Sequence, residues 1–167
     1  MNDKDKIMKQ LILSWGMPDI INKENIVFKF DNKELLNTGE TGYHCRDGDV
    51  KFCLYDIINK SALFSMEFFI SRPFEAGTYK RDYRVNLNLL YLHEDSHRKK
   101  GIASYYIERL ISYAVQEKIE CIVVNPNANA LNFKYDIKEN SLEQEELKRF
   151  YKKRSTKEMP VIFVTEG

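Results

Sequence analysis

The run "YRVNLNLLYLHEDSHRKKGIASYYIERLISYAVQEKIECIVV", Tyr83 to Val124, constrains the fold of this chain more than any other stretch. "YRVNLNLLYL" has the apolar, alternating character of a strand, and a charged turn follows it to Gly101. Ala103, Ile107, Leu110, Ile111 and Ala114 then trace one face of a helix of about four turns, ending near Lys118. "IECIVV" completes the run as a buried strand, four of its six residues β-branched. Strand, turn, helix and strand in this order make a βαβ unit, whose two strands are parallel and whose crossover is right-handed. Within the first strand, alternation puts Leu87, Leu89 and Tyr91 on one face and Asn86, Asn88, Leu90 and Leu92 on the other.

The rest of the chain adds simpler elements. Ile7, Met8, Leu11, Ile12 and Trp15 fall at helical spacing until Gly16 and Pro18 stop the helix. "NIVFKF" alternates as a strand, and Asp31 to Asn37 is expected to form a short helix. From Thr41 a β-meander is expected: "GYHC", an Asp-Gly turn at 47 and 48, "VKFCLYDI", a turn at Asn59 and Lys60, then "ALFSMEFFI". After the βαβ unit a polar loop leads to a helix opened by Ser141 with Gln144 three residues on, a capping box, and carrying Leu147, Phe150 and Tyr151 on its inner face. "MPVIFV" is a closing strand. With 167 residues, no internal repeat and no linker, the chain suits one domain spanning 1–167.

Charge narrows the function. Lys and Arg total 26 against 25 Asp and Glu, a balance that gives no global field for gathering nucleic acid or an anionic membrane. An anion site must therefore be local, and the basic cluster at a turn is Arg98, Lys99 and Lys100; "KRFYKKR", Lys148 to Arg154, reads as a helix. Cys45, Cys53 and Cys121 show no C-x-x-C spacing, which argues for reduced thiols rather than a disulfide framework or a cysteine zinc site. No signal-peptide pattern and no run of eighteen apolar residues is found, so a cytoplasmic location is expected.

"HEDSHRKKGIA", His93 to Ala103, spells two motifs at once. H-E-x-x-H is a zinc protease pattern, but it needs a helix to aim His93 and His97 at one metal while Glu94 reaches a bound water. Upstream the pattern is that of a strand, three cations follow, and the remaining histidine, His44, lies far upstream, so no metal is expected. R-x-x-G-x-A needs the opposite context, a strand whose turn opens directly into a helix, and the sequence provides it. The N–H groups of a helix N-terminus can hold a pyrophosphate, Gly101 allows close backbone approach, Ala103 keeps the first turn small, and Lys99 and Lys100 add charge.

With these residues "LLYLHEDSHRKKGIASYYIERL" resembles the strand and pyrophosphate loop of the GNAT superfamily of N-acetyltransferases. Arg98, Gly101 and Ala103 fill that family's Q/R-x-x-G-x-G/A positions, and the resemblance runs from Val50 to about Lys153. It implies an α+β fold with a mixed, mostly antiparallel central sheet, one parallel βαβ unit and helices on both faces. It also implies acetyl-CoA as cosubstrate, received by Leu90, Tyr91 and Leu92 at the end of the first strand and by Arg98, Lys99, Lys100, Gly101, Ile102 and Ala103 in the loop. Tyr151 matches the family's tyrosine that protonates the departing thiolate, and Gln144 stands where the family opens a helix with asparagine. For the base, Glu67 and Glu94 are candidates, and Asn88 could hold a water. The loop before Arg98 is one residue longer than usual, with Asp95 where proline is common, which predicts a bulge shifting the register at Leu90 to Leu92. "RSTKEMP" replaces the glycine-aromatic pair of the usual closing hairpin.

The expected activity is transfer of an acetyl group from acetyl-CoA to a primary amine of a small molecule or a protein, with a homodimer left open as an assembly. The alternatives are a catalytically silent acyl-CoA sensor or interaction module and, more remotely, a zinc metallopeptidase using His93, Glu94 and His97.

Overall fold

A computed structural model of the chain describes residues 2–19, 23–35, 40–72, 83–93, 101–125 and 148–163. Helix α1, Asp3–Trp15, starts where the Asn2 side chain accepts a hydrogen bond from the Asp5 N–H at 2.8 Å, and Asp3 and Asp5 face the positive end of its dipole. Gly16, at φ 68°, ends it. The helix buries Met8, Ile12 and Trp15 as its apolar spacing predicts, but leaves Ile7, at the edge of that stripe, exposed.

A short 3₁₀ turn, Lys23–Asn25, leads into strand β1, Ile26–Lys29. The helix expected from Asp31 does not form over 31–35. Instead the Asp31 carboxylate accepts from the Lys33 N–H at 3.0 Å and Glu34 takes a left-handed φ of 61°, which breaks helical geometry; 36–39 lie outside the described residues.

The meander forms as expected, with β2 (His44–Arg46), β3 (Asp49–Asp56) and β4 (Ser61–Ser71) antiparallel in turn. Gly48, at φ 75°, makes the first turn. At the second, the Asp56 carboxylate accepts from the N–H groups of Ile58 and Asn59, both at 2.9 Å, and these bonds hold its pKa below the usual carboxylate value. Strand β5 (Arg84–Leu92), helix α2 (Ile102–Gln116) and strand β6 (Cys121–Val124) are the expected βαβ unit. Helical residues 148–154, here α3, precede β7, Val161–Phe163.

The sheet order is β1-β3-β4-β5-β6-β7, with β2 also on β3, so a mixed, mostly antiparallel sheet of an α+β fold is present. Two expectations need correction. Strand β7 pairs with β6 in parallel too, so there are two parallel pairs rather than one. Nor do helices cover both faces among the described residues. Right-handed crossovers that advance the same way along a sheet place their helices on the same side, and buried residues of α1, α2 and α3 all join one cluster with Phe52, Phe64, Met66 and Phe68. Tyr106 of α2 stacks on Phe64 with ring centroids 5.0 Å apart. Tyr43, Cys53, Tyr55 and Ala62 form a smaller cluster on the opposite face.

Strand β5 also departs from simple alternation. Leu89 pairs with Glu67 and Leu87 with Phe68, leaving Asn88 as the extra residue of a β-bulge. The bulge flips the phase, so Val85, Leu87, Leu90 and Leu92 share the helix-covered face while Leu89 and Tyr91 point the other way. Leu87 is thus separated from Leu89 and Tyr91. The bulge that shifts Leu90 to Leu92 sits at Asn88, because Val85 and Leu87 before it and Leu90 and Leu92 after it must meet one apolar face.

Candidate functional site

At the carboxyl end of the parallel strands the sheet becomes uneven. Pairing between β5 and β6 ends at Leu87 and Val124, and the Asn125 N–H closes it on the Leu87 carbonyl at 3.0 Å. Strand β5 runs on to Leu92, still laddered to β4 on its other side. Open α/β sheets place ligands at the carboxyl ends of such strands, where neighbouring chain paths diverge. Leu90 and Leu92, expected to receive the coenzyme, are buried against the helices, whereas Tyr91 faces the other way.

Helix α2 opens at this same end. Its N-cap is Gly101, left-handed at φ 75°, and among the described residues no side chain caps the first turn. A Cβ built at Gly101 would meet nothing within 4 Å among the described residues, so glycine is needed there for its backbone conformation. Ile102 is fully buried and Ala103 packs partly against the core, so these two offer backbone N–H groups rather than side chains. Arg98, Lys99, Lys100, Glu94 and Gln144 lie outside the described residues.

A cation from the helical run "KRFYKKR" stands beside that first turn. Arg154 of α3 donates from Nη2 to Ser104 Oγ at 2.7 Å and from Nη1 to the Phe150 carbonyl at 2.8 Å, with its guanidinium 3.9 Å above the Phe150 ring. Its Nε is buried with no hydrogen-bond partner among the described residues, and Glu108 is 4.0 Å away. A partly buried guanidinium with an unused donor, next to a helix N-terminus, fits an anionic group. Tyr151, one turn earlier, is fully buried. Its ring stacks on Phe163 at 5.7 Å, and Phe163 pairs with Val124, so Tyr151 lies over the end of β6 where β5 outruns it.

The opposite face of the sheet holds a set of polar groups that linear spacing did not reveal. Ser65 on β4 is fully buried; its Oγ is 2.8 Å from the Tyr43 hydroxyl and 2.7 Å from Nε2 of His93, the residue after β5. The Cys53 thiol hydrogen-bonds with Tyr43 from the next strand, and the Tyr91 ring meets the His93 imidazole edge-on at 4.6 Å. Lys51 lies 5.6 Å from the centre of the Tyr43 ring and pairs with Glu40 at 3.2 Å. Burial, with the charge of Lys51 adding to it, pulls the His93 imidazole down to about 4, so the ring is neutral near pH 7. Burial likewise pushes the Cys53 thiol up to about 12 and the Tyr43 phenol well above its ordinary value.

Glu67, a candidate base, lies on this face too, half-buried and directly opposite Lys51 in the β3–β4 register. The register is the missing signal: Ser65 faces Tyr91 on β5 and Cys53 on β3 only once the meander is aligned. His93 ends a strand rather than sitting in a helix, and its Nε2 is used by Ser65, which is not the scaffold that the H-E-x-x-H spelling needs. His44 is occupied by Asp49 and by the Gly42 carbonyl, each at 2.7 Å. Among the described residues no three metal-ligating side chains gather, and no helix is long and apolar enough to cross a membrane.

Comparison of the chain with protein-family models, with curated proteins and with solved structures returned no match.

Proposed function

We propose that this protein is a GNAT-like acyltransferase that moves an acetyl group from acetyl-CoA to a primary amine. The observation that carries the reading is the junction at the carboxyl end of β5. A central strand outruns its parallel neighbour past Leu87 and Val124, and helix α2 opens at the same end through left-handed Gly101, with no side-chain cap among the described residues. Acetyl-CoA would supply the activated thioester; the chain's own residues bind, orient and manage protons.

The N–H groups of the first turn of α2, with Arg154 beside them, hold the pyrophosphate, joined by Arg98, Lys99 and Lys100. The pantetheine arm lies along the end of β5, past Val124, at Leu90, Tyr91 and Leu92. Tyr151, over the same end of β6 and packed between the Phe150 and Phe163 rings, protonates the departing thiolate. The acceptor amine approaches the polar face that carries Glu67 and His93.

Isothermal titration with acetyl-CoA tests the reading. Saturable one-to-one binding is expected for the wild type and its loss for Gly101→Glu. A wild type that does not bind acetyl-CoA would sink the proposal. Replacing Tyr151 by Phe then separates an enzyme from a silent acyl-CoA sensor, because turnover falls in the first while coenzyme binding persists in both.

A further inference from the structure

Three polar groups in series inside a protein have a direction. A phenol is a better donor than an aliphatic hydroxyl, and an unprotonated imidazole nitrogen is the best acceptor among neutral side chains. The favoured order therefore runs from Tyr43 O–H to Ser65 Oγ, and from Ser65 O–H to Nε2 of His93, over 2.8 and 2.7 Å. A neutral imidazole that accepts at Nε2 carries its proton on Nδ1.

We propose that His93 is held by Ser65 and Tyr43 as the Nδ1-protonated neutral tautomer, and that this N–H donates a hydrogen bond to the carbonyl oxygen of the acyl group during transfer. The inference rests on the acyltransferase reading and deepens it. His93 directly follows Leu92, at the end of β5 where the thioester is placed. The surroundings favour a neutral ring: Lys51 on β3 disfavours a second cation, Glu40 is paired to Lys51, Glu67 faces Lys51 across the strands, and burial keeps Tyr43 and Cys53 protonated near neutral pH. Ser65, whose Oγ lies between the Tyr43 hydroxyl and His93 Nε2, and Tyr43 are positioning residues.

The chemistry balances without moving the histidine proton. The amine nitrogen attacks the thioester carbon, a C–N bond forms, and the carbonyl π pair goes to the oxygen, where the Nδ1–H meets the growing negative charge. That pair returns as the C–S bond breaks. The thiolate takes the proton of Tyr151, the amine gives its proton to solvent, and solvent restores the tyrosine. A neutral imidazole donor suits this role because it stabilises an oxyanion without protonating it, and a donor fixed before reaction needs no reorganisation.

Nitrogen-15 NMR of histidine-labelled protein reads the tautomer directly. The wild type near pH 7 should show a protonated Nδ1 and an unprotonated Nε2, and Ser65→Ala should lose that preference. In steady-state kinetics His93→Ala should lower kcat by about 10²- to 10³-fold, the cost of one oxyanion donor, with little change in KM for acetyl-CoA. His93→Asn, which keeps an N–H near the Nδ1 position, should recover part of the loss. A wild type with its proton on Nε2, or a His93→Ala variant with unchanged kcat, would overturn the donor role while acetyl-CoA binding still stood. A wild type that binds no acetyl-CoA would instead remove the acyltransferase reading, and the donor role with it.

Discussion

The Tyr106 hydroxyl donates to the Gly16 carbonyl at 2.9 Å, joining the second helix to the end of the first. Tyr106 is fully buried, and its neighbour Tyr105 donates to the Trp15 carbonyl at the same junction. Tyr106→Phe keeps the stacking on Phe64 but leaves that carbonyl short of a partner, so a loss of about 1 kcal/mol is expected. Tyr106→Ala should cost about 3–5 kcal/mol through the cavity. Urea unfolding of both variants checks the ratio, and equal losses would show that packing plays no part.

Gly101 separates backbone strain from occupancy. Its φ of 75° makes any side chain unfavourable, so Gly101→Ala should lose about 1 kcal/mol of stability. The methyl itself clashes with nothing among the described residues. Coenzyme binding should therefore weaken modestly in Gly101→Ala and vanish in Gly101→Glu, where a carboxylate enters the proposed phosphate site. Titration calorimetry beside thermal melts distinguishes the two effects.

His93 predicts an acid-side loss of stability. Its folded value of about 4 lies below the ordinary 6.5, so between these the unfolded chain binds more protons than the folded one. Stability is intact above about pH 6.5 and falls as the pH drops toward 4, at no more than about 1.4 kcal/mol per pH unit. The Asp56 carboxylate acts in the same direction, but below its ordinary 3.8, outside the histidine window. Unfolding midpoints between pH 4 and 7 should flatten in His93→Gln relative to the wild type.

Thiol chemistry should rank the cysteines. Cys45 and Cys53 are buried, with pKa values pushed up to about 11 and about 12, whereas Cys121 is only half-buried. A rise of two units from 9.0 leaves about a hundredfold less thiolate at Cys45. A disulfide reagent at pH 8 should label Cys121 first and the others only on unfolding, as peptide mapping would show.

The elements were legible in the sequence because they follow from local rules. The βαβ unit, the meander with its Asp47-Gly48 turn and the Asn2-capped first helix all express periodicity or turn chemistry. What escaped was set by pairing at a distance. The bulge at Asn88 reversed the face of Leu90 and Leu92, which two-residue alternation cannot anticipate. Tyr43, Ser65 and His93 lie 22 and 28 positions apart, and only the β3–β4–β5 register joins them. Arg154 was one more cation of the helical run "KRFYKKR" until Ser104, 50 positions away, met it.

The uneven sheet also sets an order in time. Strands β3 and β4 are joined by a turn of four residues, whereas β6 reaches β5 only after α2 has formed between them, and β7 must close a longer loop still. Loop closure slows contacts between distant parts of a chain, so the antiparallel centre should gain hydrogen-exchange protection first and β6 and β7 last. Native-state exchange should show the reverse on opening, with Ile122 to Val124 and Val161 to Phe163 losing protection before Phe52 and Phe64. The end of the molecule proposed to hold the coenzyme would then be the last part to fold and the first to loosen, and a bound ligand there would slow the unfolding of the whole chain.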